Sequence, residues 1–84
     1  MRLVFEDQGR QDSTSWLKID RKMLARINKL VEDILRDPFT GIGKPEPLKN
    51  HLPGAWSRRI NEEHRLVYLV TDNEIIILAA RYRY

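Results

Sequence analysis

Residues 65–80 read Arg65-Leu66-Val67-Tyr68-Leu69-Val70-Thr71-Asp72-Asn73-Glu74-Ile75-Ile76-Ile77-Leu78-Ala79-Ala80. Alternation places Leu66, Tyr68 and Val70 on one face and Arg65, Val67 and Leu69 on the other, the period-two pattern of a strand. Thr71 to Glu74 is polar, and Asp72-Asn73 tolerates left-handed backbone angles, so a turn follows. A last strand is predicted over residues 75–83. Its unbroken apolar run, Ile75 to Ala80, belongs to a central strand covered on both faces.

Outward from that pair, Trp56 to Ile60 alternates Trp56, Arg58 and Ile60 against Ser57 and Arg59, which makes a further strand. Residues 38–54 hold all four prolines and three of the four glycines, and read as a stiff, irregular loop. Loops longer than about 12–15 residues are uncommon in compact domains and are often functional. Pro45 and Pro47 restrict the backbone around Glu46. Gly41-Ile42-Gly43-Lys44 lacks the spacing and the Ser/Thr of a phosphate loop. Farther upstream, Met23, Ile27, Leu30 and Ile34 recur at helical spacing, widened by Leu24, Val31 and Leu35, and predict a helix over 21–36. Asp20 is its N-cap and Asp37-Pro38 its stop. Arg21, Lys22, Arg26 and Lys29 form its outer face, which reads as solvated; the sharper alternative is a face that also meets nucleic acid. Arg2 to Phe5 reads as a strand, and residues 6–18 as a weak helix in which only Trp16 and Leu17 offer bulk. Strand, one or two helices, loop and a meander of strands give an α+β domain, with the helices on one side of a mostly antiparallel sheet. The other sheet face is left to carry arginines.

The chain has 84 residues, which fits one domain over 1–84. Hydrophobic residues make up 42% and charged residues 32%, a globular and not a disordered composition. Cysteine is absent, which excludes disulfides, thiolate catalysis and cysteine-based zinc sites. No apolar run approaches the ~20 residues of a membrane span, so no membrane contact is expected and a cytoplasmic location is. The net charge of +3 permits a polyanionic partner without demanding one. The cations of the last third are all arginine (Arg58, Arg59, Arg65, Arg81 and Arg83), whose planar fork suits phosphate.

His51 and His64 are the only histidines, and neither has a partner at a metal-site spacing. Ser57 lacks the glycine-flanked elbow of a serine nucleophile. Neither a cofactor nor a metal is expected. What remains is a carboxylate in a stiff loop, Glu46, with late-strand arginines and the tyrosines Tyr82 and Tyr84. That set suits metal-free cleavage of RNA, which carries its own nucleophile in the 2′-hydroxyl. Glu46 could remove its proton, Arg65 could hold the phosphate, and Tyr84 could stack on an unpaired base. The plainer alternatives are a solvated Glu46, an Arg65 paired with Glu62 or Glu63, and a Trp56 that is simply core.

Four ordered stretches carry a resemblance: Gly43-Lys44-Pro45-Glu46-Pro47-Leu48-Lys49, Trp56-Ser57-Arg58-Arg59-Ile60, Glu62-Glu63-His64-Arg65-Leu66-Val67-Tyr68 and the ending Arg81-Tyr82-Arg83-Tyr84. Together they resemble the YoeB toxins, of the RelE/ParE superfamily of bacterial toxin–antitoxin systems. The match is strong from about Asp20 onward and looser before it. The resemblance implies a microbial RNase fold and an endoribonuclease that cuts messenger RNA in the ribosomal A site. It also implies a YefM-like antitoxin and a capacity to form a homodimer. Carried over by position, Glu46 is the general base, Arg65 steadies the transition state and Tyr84 arranges the messenger, while Lys49 and Arg59 contact RNA. One position departs: the family pattern ends Arg-Tyr-His-Tyr with the histidine as general acid, and Arg83 stands there instead. Arginine is a poor proton donor at pH 7, so Arg83 is expected to stabilise phosphate charge only. The alternatives are then slow cutting, or a toxin-like module that binds ribosome or antitoxin without useful cleavage. A gyrase-directed toxin, the third reading from the wider superfamily, is opposed by the intact Glu46 motif. Arg10, Ser13 and Ser15 also depart, in a stretch where the family tends to be aromatic.

Overall fold

A computed structural model describes residues 1–48 and 53–83. The chain runs β1 (Arg2–Phe5), α1 (Asp7–Ile19), α2 (Arg21–Arg36), β2 (Glu46–Pro47), β3 (Ala55–Arg59), β4 (Arg65–Val70) and β5 (Glu74–Tyr82). The strands form one sheet in the order β1-β5-β4-β3-β2. β1 pairs with β5 in parallel, and the other neighbours are antiparallel. The expected α+β architecture is present, with the ends of β1, β3, β4 and β5 within a residue of those read from the sequence, whereas β2 falls inside the segment read as an irregular loop.

α2 begins where Asp20 accepts a hydrogen bond from the Lys22 N–H and ends at Asp37, ahead of Pro38. Its buried stripe is Met23, Ile27, Leu30, Val31 and Ile34. α1 is weakly specified by its own sequence and is made by what it touches. Gly9 lies so close to β5 that a Cβ there would collide with the Ile77 carbonyl oxygen. The β1 ladder stops at the Phe5–Ile77 pair, which leaves the Ala80 backbone facing α1. Asp12 Oδ2 accepts from the Ala80 N–H at 3.0 Å, and Trp16 Nε1 donates to the Ala80 carbonyl at 3.0 Å. Two α1 side chains thus replace a missing strand, satisfying backbone groups that would be costly to bury unpaired.

The main core lies between helices and sheet and includes Trp16, Ile27, Leu30, Ile34, Leu66, Tyr68, Ile75, Ile77 and Ala80. A smaller apolar cluster, Leu48, Ala55 and Val67 with Leu69, Leu78, Ala79 and Tyr82 against it, covers part of the opposite face. β5 is an interior strand between β1 and β4, with the main core on one face and part of the smaller cluster on the other. Its register against β4 shifts twice between Arg65 and Tyr68, an irregularity that re-aims side chains near the end of the strand. Trp56, expected in the core, is half-buried at its edge: it packs against the main core and on Phe39, with ring centroids 5.1 Å apart. Among the described residues, no helix is long and apolar enough to cross a membrane.

Candidate functional site on the open sheet face

The late arginines do not share one face, because alternation divides them. Arg58 points with Trp56 and Ile60 into the helix side and is fully buried. Its Nη1 meets Asp33 Oδ2 at 2.6 Å and the Ile42 carbonyl at 3.1 Å. Its Nη2 donates to the carbonyls of Asp37 at 2.7 Å and Thr40 at 3.0 Å, and its Nε donates to the Tyr68 hydroxyl. Tyr68 in turn donates to the Pro38 carbonyl at 2.7 Å, and burial pushes its phenol above the usual range. Arg36 and Arg58, with the Ile42 N–H, hold the Asp33 carboxyl well below the usual carboxylate range. Arg58 is thus a clamp that closes residues 37–42 onto α2 and β3. Arg81 also lies on the helix side, with its guanidinium 5.1 Å from the centre of the Trp16 ring.

The clamp leads directly to the carboxylate loop. Gly41 and Gly43 take φ values of 129° and 81°, angles that favour glycine. Lys44 takes φ 52°, an uncommon angle for a residue with a side chain. The chain then straightens into β2. The Gly43 carbonyl accepts from the Arg59 N–H at 2.7 Å, and the Leu48 N–H donates to the Ala55 carbonyl at 2.9 Å, so β2 is held at both ends. Glu46 falls opposite Ser57, Ser57 opposite Val67, Arg59 opposite Arg65, and Arg65 opposite Tyr82.

This register gathers the sequence-predicted Glu46 and Arg65 on the open face. Arg65 Nη1 lies 2.8 Å from Glu46 Oε1 and 3.0 Å from Ser57 Oγ. The Arg65 side chain is 8% exposed and that of Glu46 44%, so a nearly buried cation meets a carboxylate that solvent can reach. Arg59 is exposed and sits directly across from Arg65. Among the described residues, Arg59 and Arg65 are two guanidinium-bearing positions beside the Glu46 carboxylate, an arrangement that suits an incoming anion. Arg65 does not pair with Glu62 or Glu63; Glu63 Oε2 instead meets Arg83 Nη2 at 3.3 Å, in an exposed pair. Lys49 and Tyr84 lie outside the described residues. Among the described residues, no group of three or more His, Asp or Glu side chains is placed to hold a metal ion.

Ser57 is the residue that sequence reasoning passed over. By itself it is a serine without a nucleophile's elbow, whereas the alternation of β3 places it on the face of Arg59. The partners of Arg58, which come from α2 and the proline-rich loop, left no local signal at all.

Two helices on one face of a five-stranded, mostly antiparallel sheet, with the other face carrying a carboxylate and arginines, define a small protein of the microbial RNase-like fold. Residues 5–84 match the family described as the YoeB-like toxin of the bacterial type II toxin–antitoxin system. The chain belongs to this family. It is 55% identical over 84 residues to Toxin YoeB of Streptomyces coelicolor, covering all of both chains. The YoeB dimer from Staphylococcus aureus superposes with a TM-score of 0.93 at 46% identity, covering 100% of this chain and 98% of that one. The toxin chain in the heterotetrameric YoeB–YefM toxin–antitoxin complex of the same organism gives 0.88 at 46% identity, with the same coverage.

Proposed function

We propose that the chain, a single domain over 1–84, is a metal-independent endoribonuclease of the bacterial cytoplasm that cuts messenger RNA in the ribosomal A site. The 2′-hydroxyl attacks the adjacent phosphorus and its proton passes to Glu46. Arg65 holds the phosphate as negative charge builds, and the bond from phosphorus to the 5′-oxygen breaks. The products are a 2′,3′-cyclic phosphate and a 5′-hydroxyl. With arginine at position 83, the leaving oxygen takes its proton from water or from protonated Glu46, while Arg83 contributes charge. Tyr84 arranges the messenger base, and Lys49 and Arg59 contact the RNA. A YefM-like antitoxin covers the site, and two copies of the chain associate.

The 2.8 Å contact of Glu46 with Arg65 on the open face carries this reading. Mapping of messenger 5′ ends after incubation with translating ribosomes tests it. Cuts at the A site that vanish in Glu46→Gln are expected; their absence from saturating wild-type protein would remove the enzyme reading. The second reading, binding without useful cleavage, draws on Arg83, whose guanidinium turns to Glu63. Arg83→His decides between them. A gain in cutting of roughly 10²-fold or more supports the missing acid, and no gain contradicts it.

A further inference from the structure

We propose that Ser57 is a positioning residue for Arg65, a small buried hydroxyl that opens the path of its side chain and fixes its Nη1 at the phosphate site. The inference rests on the ribonuclease reading and adds a residue to it.

Three observations combine. Ser57 is fully buried; the register sets it between Glu46 and Val67, beside the apolar cluster of Leu48, Ala55 and Val67. A hydroxyl in such a place costs free energy unless it is bonded, and its Oγ accepts from Arg65 Nη1 at 3.0 Å. The register then shows why the site needs a small residue. Arg65 lies opposite Arg59, yet its guanidinium reaches Glu46, which lies opposite Ser57. The side chain therefore runs diagonally across β3, over position 57. A branched or long residue there would stand in its way.

The third observation is that Arg65 Nη1 donates both to Glu46 and to Ser57. These two anchors differ during the reaction. Once Glu46 has taken the 2′-hydroxyl proton it is neutral, and its pull on Arg65 weakens at the moment the phosphate charge is greatest. Ser57 does not ionise near neutral pH, so its bond to Nη1 persists through the whole cycle. It holds the guanidinium where the charge develops, with little reorganisation at the moment of reaction.

The experiment compares Ser57→Ala and Ser57→Val with the wild-type chain, each also in an Arg65→Ala background. The readouts are A-site cutting, thermal unfolding and NMR of the arginine guanidinium protons. Ser57→Ala is expected to lower kcat by roughly 10–100-fold with KM within about threefold, as a small misplacement of a catalytic group does. It is expected to cost nothing further once Arg65 is alanine. In the same variant the Arg65 guanidinium signals broaden through faster rotation, and Ser57→Val lowers kcat at least as far as Ser57→Ala. Unchanged cutting by Ser57→Ala, or an equal loss with and without Arg65, would overturn the assignment. If neither wild type nor Arg83→His cuts at all, the ribonuclease reading fails by itself. The Arg65 signals then decide the anchor: broadening in Ser57→Ala retains it, and unchanged signals remove it.

Discussion

Replacing Arg58 by methionine keeps an unbranched stem but removes the guanidinium and with it every hydrogen bond that Arg58 makes in the clamp. The carbonyls of Asp37, Thr40 and Ile42 lose a charged donor, as do the Tyr68 hydroxyl and Asp33. Hydrogen bonds to charged groups are each worth about 1.5–3 kcal/mol, but they share one guanidinium and do not sum. Asp33 keeps Arg36, so the loss comes from the stranded carbonyls and the Tyr68 hydroxyl; an acceptor left without its partner costs about 1–3 kcal/mol, and with several stranded together a loss of at least about 3 kcal/mol is expected. A domain of this length has roughly 4–13 kcal/mol of stability in all. Each kcal/mol moves the melting temperature of a domain this size by about 4–8 °C, so a drop of at least ~12 °C is expected. The assay is calorimetry of wild type, Arg58→Met and Arg58→Lys, with A-site cutting measured well below each transition. Arg58→Lys keeps the charge but cannot span acceptors from α2, the loop and Tyr68 together, so it falls between the other two. Cutting also falls in Arg58→Met, because the Gly43 carbonyl that anchors β2 follows directly on the clamped segment. A melting temperature within about 4 °C of wild type would refute the reasoning.

The acid limb of stability follows from Asp33 and Asp37. Both carboxyls are held below their ordinary value, Asp33 by Arg36 and Arg58, and Asp37 by the Phe39 N–H and the Thr40 hydroxyl. Groups lowered in the folded state contribute fully above the unfolded value of about 4 and lose that contribution as pH falls below it. Urea midpoints should therefore decline below about pH 4, and less steeply in Asp33→Asn; an equal decline in that variant contradicts the assignment. Gly9→Ala sets a helix-propensity gain of about 1 kcal/mol against an overpacking cost of roughly 1–3 kcal/mol at the Ile77 carbonyl. Urea denaturation should show a net loss, and a gain would mean that α1 can lift off β5 freely. Arg59→Gln should weaken binding of a non-cleavable RNA and reduce the slope of log affinity against log salt by about 1; an unchanged slope would remove Arg59 from the RNA face.

Most of the fold is legible in the sequence because it is written in periodicity. The alternation of residues 65–70 separates Leu66 and Tyr68, in the main core, from Val67 and Leu69, in the smaller cluster. α2 follows its apolar stripe and its Asp20 cap. α1 is legible only in part, since its reasons are long-range: a glycine that admits β5, and Asp12 and Trp16 bonding Ala80 from 68 and 64 residues away. At the site, the prolines flanking Glu46 marked its loop, and the strand pattern marked Arg65. Their contact depends on the short β2–β3 pairing, for which a two-residue strand inside a proline-rich loop offers no pattern. The same non-local origin explains why Arg58, grouped in the sequence with the late arginines whose fork suits phosphate, is instead fully buried in a clamp.

The proposed ribonuclease requires Glu46 and Arg65 to act on one phosphate as a unit, and the most direct measurement is a double-mutant cycle in A-site cutting with Glu46→Gln, Arg65→Met and the pair. Residues that act as a unit are strongly non-additive. Each single variant should slow cutting by roughly 10²-fold or more, and the double variant should be no slower than the worse single. Losses that multiply, or a single variant that cuts like wild type, would contradict it.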